Sequence, residues 1–206
     1  MTDEEILRTI VKLTKRNGLG ALLAGEMVIT AAHCIGWSLE GGMALGDTYL
    51  EEIETASGAR FFTSPIFIDP IADIAVLGPV DDQEPSLGSH FKKFCDFSYS
   101  VSGLELSTVK PELFTKIPLR VRTHTGEWNP GYGQFCQPSR RSLFCETTQQ
   151  IIGGTSGSPF LDSTGAVLAV VSHSNEMRDE DEFCQATAGF AARCLPLWVV
   201  ERAMGN

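Results

Sequence analysis

The apolar runs of this chain are short, and turn residues close nearly every one of them. Thr9, Val11 and Leu13 alternate with Ile10, Lys12 and Thr14, which is the two-residue period of a strand. Lys15-Arg16-Asn17-Gly18 reads as a turn, and Leu19 to Ala24 and Met27 to Thr30 read as two strands joined at Gly25-Glu26. Met43 to Leu45, Tyr49 to Ile53, Arg60 to Phe62 and Ile74 to Leu77 continue the pattern. It resumes with Leu104 to Val109, Ile117 to Val121, Ser142 to Glu146, Phe160 to Leu161, Val167 to Ser172 and Gly189 to Arg193. Helical character is confined to the ends. Asp3 to Leu7 suits a turn or two, and Leu195 to Met204 is amphipathic, with Leu197, Val200 and Ala203 spaced to dock on a core. Many short strands with one terminal helix predict an all-β fold of two antiparallel barrels.

The 206 residues suit one domain built of two intimately packed halves. Gly78 to Gly103 carries Pro79, Pro85 and Asp81-Asp82, and reads as the loop-rich crossing between them. The halves are then residues 8–85 and 104–194, with residues 195–206 as the closing helix. No apolar run reaches the roughly 18 residues of a membrane span. The formal charge of −10 argues against nucleic acid or an anionic membrane as a partner. Met1-Thr2-Asp3-Glu4-Glu5 is acidic where an export signal would be basic, so a cytoplasmic location is expected, or a secreted one if the chain is a processed form. The oligomeric state is left open.

The six cysteines are Cys34, Cys95, Cys136, Cys145, Cys184 and Cys194. None is spaced Cys-x-x-Cys, which argues against a zinc site. Cys136 with Cys145, and Cys184 with Cys194, have spacings that suit bridges across hairpins. The missing export signal favours free, mostly buried thiols instead.

The chemistry concentrates in Gly153-Gly154-Thr155-Ser156-Gly157-Ser158-Pro159. Its glycines allow a tight loop around the Ser156 hydroxyl, with the N–H groups of Gly154 and Ser156 converging where an oxyanion would form. A serine hydroxyl needs a base, and Thr30-Ala31-Ala32-His33-Cys34 supplies one upstream. Asp73, opening Asp73-Ile74-Ala75-Val76-Leu77, would orient that base; Asp69 is a rival four residues earlier. The order His, Asp, Ser is one in which such triads occur.

Ala-Ala-His-Cys, Asp-Ile-Ala-Val-Leu and Gly-x-Ser-Gly-x-Pro resemble the three signature segments of the trypsin/chymotrypsin-like serine proteases. The resemblance spans roughly residues 8 to 204, and the Gly-Ser-Pro ending is closest to the bacterial trypsin-like and glutamyl-endopeptidase branches. It implies two six-stranded antiparallel Greek-key barrels with the site in the cleft between them. It also implies a serine endopeptidase that acts on protein or peptide substrates through an acyl-enzyme. Catalytic His33, Asp73 and Ser156 and an oxyanion hole of Gly154 and Ser156 follow, with no metal or organic cofactor. A catalytically weak scaffold module and an esterase on the same triad are the competing readings.

Carried over residue by residue, the substrate pocket would be walled by Gln150, Ile151 and Ile152, by Val171 to Ser174, and by Gly189. Ser172 would lie behind the triad, with His173 and Ser174 facing substrate. Gln150 stands where a trypsin carries aspartate, so no preference for Arg or Lys is expected. The acids of Glu176 to Glu182 would bias the cleft towards basic peptides or form a solvated loop. Two departures stand out. Thr155 replaces the usual Asp or Asn, which rules out activation by an ion pair with a freed N-terminus and questions how the oxyanion loop is held. Ser158 replaces a common glycine. His90 and His124 have polar neighbours and read as surface residues.

Overall fold

Thr2 starts the chain's first element. Its hydroxyl accepts from Glu5 N–H at 3.2 Å while Glu5 Oε2 accepts from Thr2 N–H at 2.6 Å. This reciprocal capping box opens helix α1 (Asp3–Thr9), with three acids in the first turn, where the helix dipole favours them. A computed structural model describes residues 1–36, 49–110, 112–135, 141–174 and 184–204; for Ser174 and Cys184 it describes the backbone only. The expected strand at Met43 to Leu45, the acidic loop at Glu176 to Glu182, and Cys136 lie outside the described residues.

The first barrel contains β1 (Ile10–Leu13), β2 (Gly18–Leu23), β3 (Met27–Thr30), β4 (Glu51–Thr55), β5 (Arg60–Asp69) and β6 (Ile74–Pro79). They pair in the order β1-β2-β3-β6-β5-β4, and β1 closes on β4 with Val11 opposite Thr55. The second contains β7 (Ile117–Arg122), β8 (Trp128–Gln134), β9 (Ser142–Thr147), β10 (Pro159–Leu161), β11 (Val167–Ser174) and β12 (Cys184–Phe190). Its order, β7-β8-β9-β12-β11-β10, repeats the first, and β7 closes on β10 with Val121 opposite Phe160. Both are therefore closed, six-stranded, antiparallel Greek-key barrels. Closure leaves no free sheet edge. Alternation fills each interior: Val11, Ile53, Phe61 and Val76 are buried in the first, and Val121, Phe135, Phe160 and Leu168 in the second. Each such side chain contributes about 1.5–3 kcal/mol of burial.

Four sequence expectations need correction. The crossing is not loop throughout: α2 (Gly88–Ser100) follows its prolines. Leu87, Phe91, Phe94 and Phe97 have helical spacing, and Phe94 meets Phe61 of the first barrel edge-on at 6.1 Å. Leu104 to Val109 forms only isolated parallel bridges, Leu104 to Leu23 and Leu106 to Val167, lacing the two barrels together. The strand expected at Gly189 to Arg193 runs instead from Cys184 to Phe190, and Ala191–Cys194 is a short helix, α3. Strand β8 was not read at all, because Trp-Asn-Pro-Gly-Tyr-Gly-Gln has the composition of a turn.

The closing helix α4 (Leu197–Ala203) starts after Pro196. It buries Val199 and Ala203, while Leu197 points outward at 70% exposure, so the docking face is rotated from the expected one. The helix lies on the β2–β3 turn of the first barrel. A Cβ at Gly25 would stand 2.5 Å from Arg202 O, and Gly25 has φ +82°, so this approach requires glycine. Cys34, Cys95, Cys145 and Cys194 carry free thiols, three of them buried.

Candidate active site

Three connections carry the chemistry-bearing residues. His33 lies on a tight helical turn, Ala32–Ile35, that follows β3. Asp73 ends the β5–β6 turn with φ +54°, in the left-handed region that few side chains tolerate. Aspartate is among the few, and strain of this kind is held where the surroundings over-determine it. Here they do. His33 N–H donates to Asp73 Oδ1 at 2.9 Å, His33 Nδ1 lies 2.7 Å from Oδ2, and Ala32 N–H donates to Asp73 O at 3.2 Å. Asp69 is otherwise engaged: its Oδ1 accepts from the N–H groups of Ile71 and Ala72, both at 3.0 Å. The rival aspartate builds the turn that presents Asp73.

The second barrel adds a third donor. Strand β11 has a register shift between Val171 and His173, and the irregularity turns Ser172 towards Asp73. Ser172 Oγ donates to Asp73 Oδ2 at 2.5 Å. Its one proton is thereby used, so the 2.6 Å contact with His173 Nδ1 requires that nitrogen to donate. His173 is 73% exposed, and its ring centroid is 5.4 Å from that of His33. Burial alone would raise the Asp73 pKa, but hydrogen bonds from His33 and Ser172 outweigh it and hold the carboxyl below its ordinary range. The same carboxylate, helped by Cys34, holds the His33 imidazolium well above its ordinary range.

Ser156 precedes β10. Ile152 to Thr155 forms a turn closed by Thr155 N–H donating to Ile152 O at 3.2 Å. Its third residue, Gly154, has φ +90°, while Gly153 is not in the positive-φ region. That combination is a type II turn, whose central peptide is flipped relative to type I, and only glycine is at ease in its third position. Ser156 O accepts from Leu19 N–H at 2.8 Å, and Gly157 N–H donates to Val171 O at 2.9 Å. Gly157 has φ +83°, and a Cβ there would stand 2.0 Å from Leu19 O. The loop is thus clamped between the two barrels by backbone.

No family model matches the chain, and no curated protein is significantly similar to it in sequence. Solved structures are similar in fold. The inactive form of the Rv3671c protease superposes with a TM-score of 0.56 at 16% identity, over 98% of this chain and 92% of that one. The active form from M. tuberculosis gives 0.56 at 16% identity, over 98% and 83%. The serine endoprotease from Yersinia pestis gives 0.59 at 14% identity, over 98% of this chain and 65% of that one. The chain has the trypsin-like serine protease fold.

Within this protease fold the two departures have structural counterparts. Thr155 is buried, and its Oγ1 accepts from His124 N–H at 3.2 Å. A neutral hydrogen bond from the β7–β8 hairpin occupies the position where an ion pair was ruled out. Ser158 is buried too, and its Oγ donates to Arg122 O at 2.8 Å, tying the loop to the end of β7.

The expected substrate residues divide. Ser172 and His173 stand beside Asp73, as above. Gln150 is half-buried and Ile152 is 44% exposed, but Ile151 belongs to the second barrel's core at 2% exposure. Ser174 lies on β11 opposite Ala186, with its side chain outside the described atoms. Gly189 abuts the first barrel instead of walling a cleft. A Cβ on it would stand 2.5 Å from Ala72 O and 2.6 Å from Ile74 Cγ1. It pairs with Val170, deeper than the Ser172 irregularity, so its bareness lets β12 press on the turn that carries Asp73.

One contact was not anticipated. His33 Nε2 lies 3.6 Å from Cys34 Sγ, and among the described residues Ser156 Oγ makes no hydrogen bond to it. Cys34 is in turn packed on Gly18, where a Cβ would stand 2.5 Å from Sγ. The adjacency of His33 and Cys34 was the only signal for this.

Proposed function

We propose that the protein is a serine endopeptidase. The observation that carries the reading is the fixed His33–Asp73 pair, with His33 Nδ1 at 2.7 Å from Asp73 Oδ2, which leaves the ring's other nitrogen, 3.6 Å from Cys34 Sγ, to act on a hydroxyl. Ser156 Oγ attacks the scissile carbonyl, and His33 Nε2 takes its proton and later delivers it to the leaving amine. Asp73 fixes the ring with Nδ1 protonated and stabilises the imidazolium. The oxyanion is received by the N–H groups of Gly154 and Ser156, a role that the turn from Ile152 to Thr155 supports. Water then hydrolyses the acyl-enzyme. Gln150 offers no charge to a Lys or Arg head, so uncharged side chains are preferred before the cut.

The test is labelling with a fluorophosphonate probe, located by peptide mass, followed by a cleavage profile on a peptide library. Labelling at Ser156 that is lost in Ser156→Ala supports the reading. Labelling elsewhere, or a hundredfold preference for Arg or Lys, contradicts it. A second reading, a catalytically weak binding module, is favoured by one observation: His33 Nε2 contacts Cys34 Sγ rather than Ser156 Oγ. Catalytic hydrogen bonds are often long before substrate binds, which is why the peptidase reading is preferred. Ester turnover without amide turnover would mark an esterase.

A further inference from the structure

A cleft of about 190 Å³ opens between the barrels, away from His33 and Asp73. Its lining includes apolar Ile10 and Leu19 and the charged or polar Lys12, Arg122, His124 and Glu54. Glu54 is already committed, since its Oε2 accepts from Arg60 Nε at 2.6 Å. Arg122 is half-buried at the end of β7, and among the described residues no carboxylate lies within salt-bridge distance of its guanidinium. Burial holds its pKa below the ordinary value, as expected of a cation that has lost water and gained no counter-ion. In a chain of net charge −10 such a spot is a local exception. Apolar walls with a few placed polar groups are the usual make-up of a small-ligand site.

Two of the lining residues are each one hydrogen bond from the nucleophile loop. Leu19 N–H donates to Ser156 O at 2.8 Å, and His124 N–H donates to Thr155 Oγ1 at 3.2 Å. We propose that this cleft is an effector site for a carboxylate on a compact apolar body, with the carboxylate on Arg122, the body against Ile10 and Leu19, and the bound ligand steadying the Ser156 loop. The last step rests on the peptidase reading above; the binding step does not. The ligand can be the C-terminal residue of a peptide or a free carboxylic acid, which share this chemistry. A ligand can shift the loop only by its differential affinity for the ordered form, and contact with Leu19 and His124 supplies one.

The experiment is calorimetric titration of the Ser156→Ala chain with N-acetyl-leucine, its primary amide, and 4-methylpentanoate. N-acetyl-leucine should bind at least tenfold more tightly than the amide. It should bind at least tenfold more weakly to a chain that also carries Arg122→Gln, with Arg122→Lys intermediate. Equal affinity for acid and amide in the chain with Arg122 intact overturns the site without relying on any cleft variant. Unchanged binding by a folded Arg122→Gln chain does so as well. If 4-methylpentanoate matches N-acetyl-leucine, the site reads a free acid; if it is tenfold weaker, a peptide end. For the effector step, N-acetyl-leucine should speed fluorophosphonate labelling several-fold in the otherwise unmodified chain and not in Arg122→Gln. Binding without that acceleration overturns the effector role. A chain that binds but never labels refutes the peptidase reading and leaves the binding site standing.

Discussion

The two halves of the candidate site are held by different means. On the first barrel's side, Asp73 gathers three hydrogen bonds to its carboxylate, two from His33 and one from Ser172. On the second barrel's side, Ser156 is placed by backbone: a type II turn, a bond to Leu19 and a bond to Val171. Charge-assisted bonds to a part-buried carboxylate are roughly twice as strong as neutral ones. The acid–base half is therefore the rigid one, and the nucleophile half is the one that neighbours can adjust. A site divided in this way can be tuned without disturbing its proton chemistry.

The largest effect tests whether the halves act as one unit. Ser156→Ala should lower peptidase activity by about 10³–10⁶, His33→Ala by a similar factor, and the double variant by little more. Additive losses, measured as kcat/KM on one peptide, would show that the halves work separately.

Asp73→Asn should cost on the order of 10⁴ in kcat, because an amide no longer enforces the tautomer that His33 needs. It should also shift the pH profile. The Asp73 carboxylate raises the His33 pKa above its ordinary 6.5, so activity should rise with pH through a midpoint above that value, and the residual activity of Asp73→Asn should have a lower midpoint. Stability carries the same signature. The raised His33 pKa contributes stability that is full below 6.5 and lost as pH rises through the folded-state value. The lowered Asp73 pKa contributes stability present above 3.8 and lost as pH falls through its folded-state value. The stability gap between the two chains, measured by denaturant melts, should be widest between those two ordinary values and narrow on either side.

Ser172→Ala removes one donor from Asp73 and should reduce kcat about tenfold with KM nearly unchanged. The smallest effect tests the adjustable half. Thr155→Val removes the acceptor for His124 N–H, at a cost of about 1 kcal/mol, and should slow turnover less than tenfold while leaving the pH midpoint in place. A shifted midpoint in Thr155→Val would break the division drawn here.

Local sequence carried the fold class further than it carried the fold's details. His33, Asp73 and Ser156 were proposed from three short runs that resemble a family's signature segments, and the structure brings His33 and Asp73 together at 2.7 Å. The choice of Asp73 over Asp69 rested on the match of the run that follows it to the family motif, and the structure gives Asp69 a separate task as a turn cap. Gly189 was read as a pocket wall from the resemblance alone; β12 pairs it with Val170 and sets it against Ala72, a placement that no local pattern reports. Helix α2 was overlooked because Pro79 and Pro85 dominate the start of the crossing, although Leu87, Phe94 and Phe97 held the helical spacing. The role of His124 behind Thr155 was not accessible, since it arises only when distant turns meet, and the Cys34 contact with His33 had no signal beyond their adjacency.

The chain's ends cross over. Asp3 of α1 pairs with Arg120 of the second barrel at 2.8 Å, whereas α4 lies on the β2–β3 turn of the first. During synthesis, the first barrel's six strands leave the ribosome well before the helix that covers Gly25. The same barrel then waits for α4 with that turn bare. Loss of α4 would therefore leave the β2–β3 turn uncovered and the first barrel short of a packing partner.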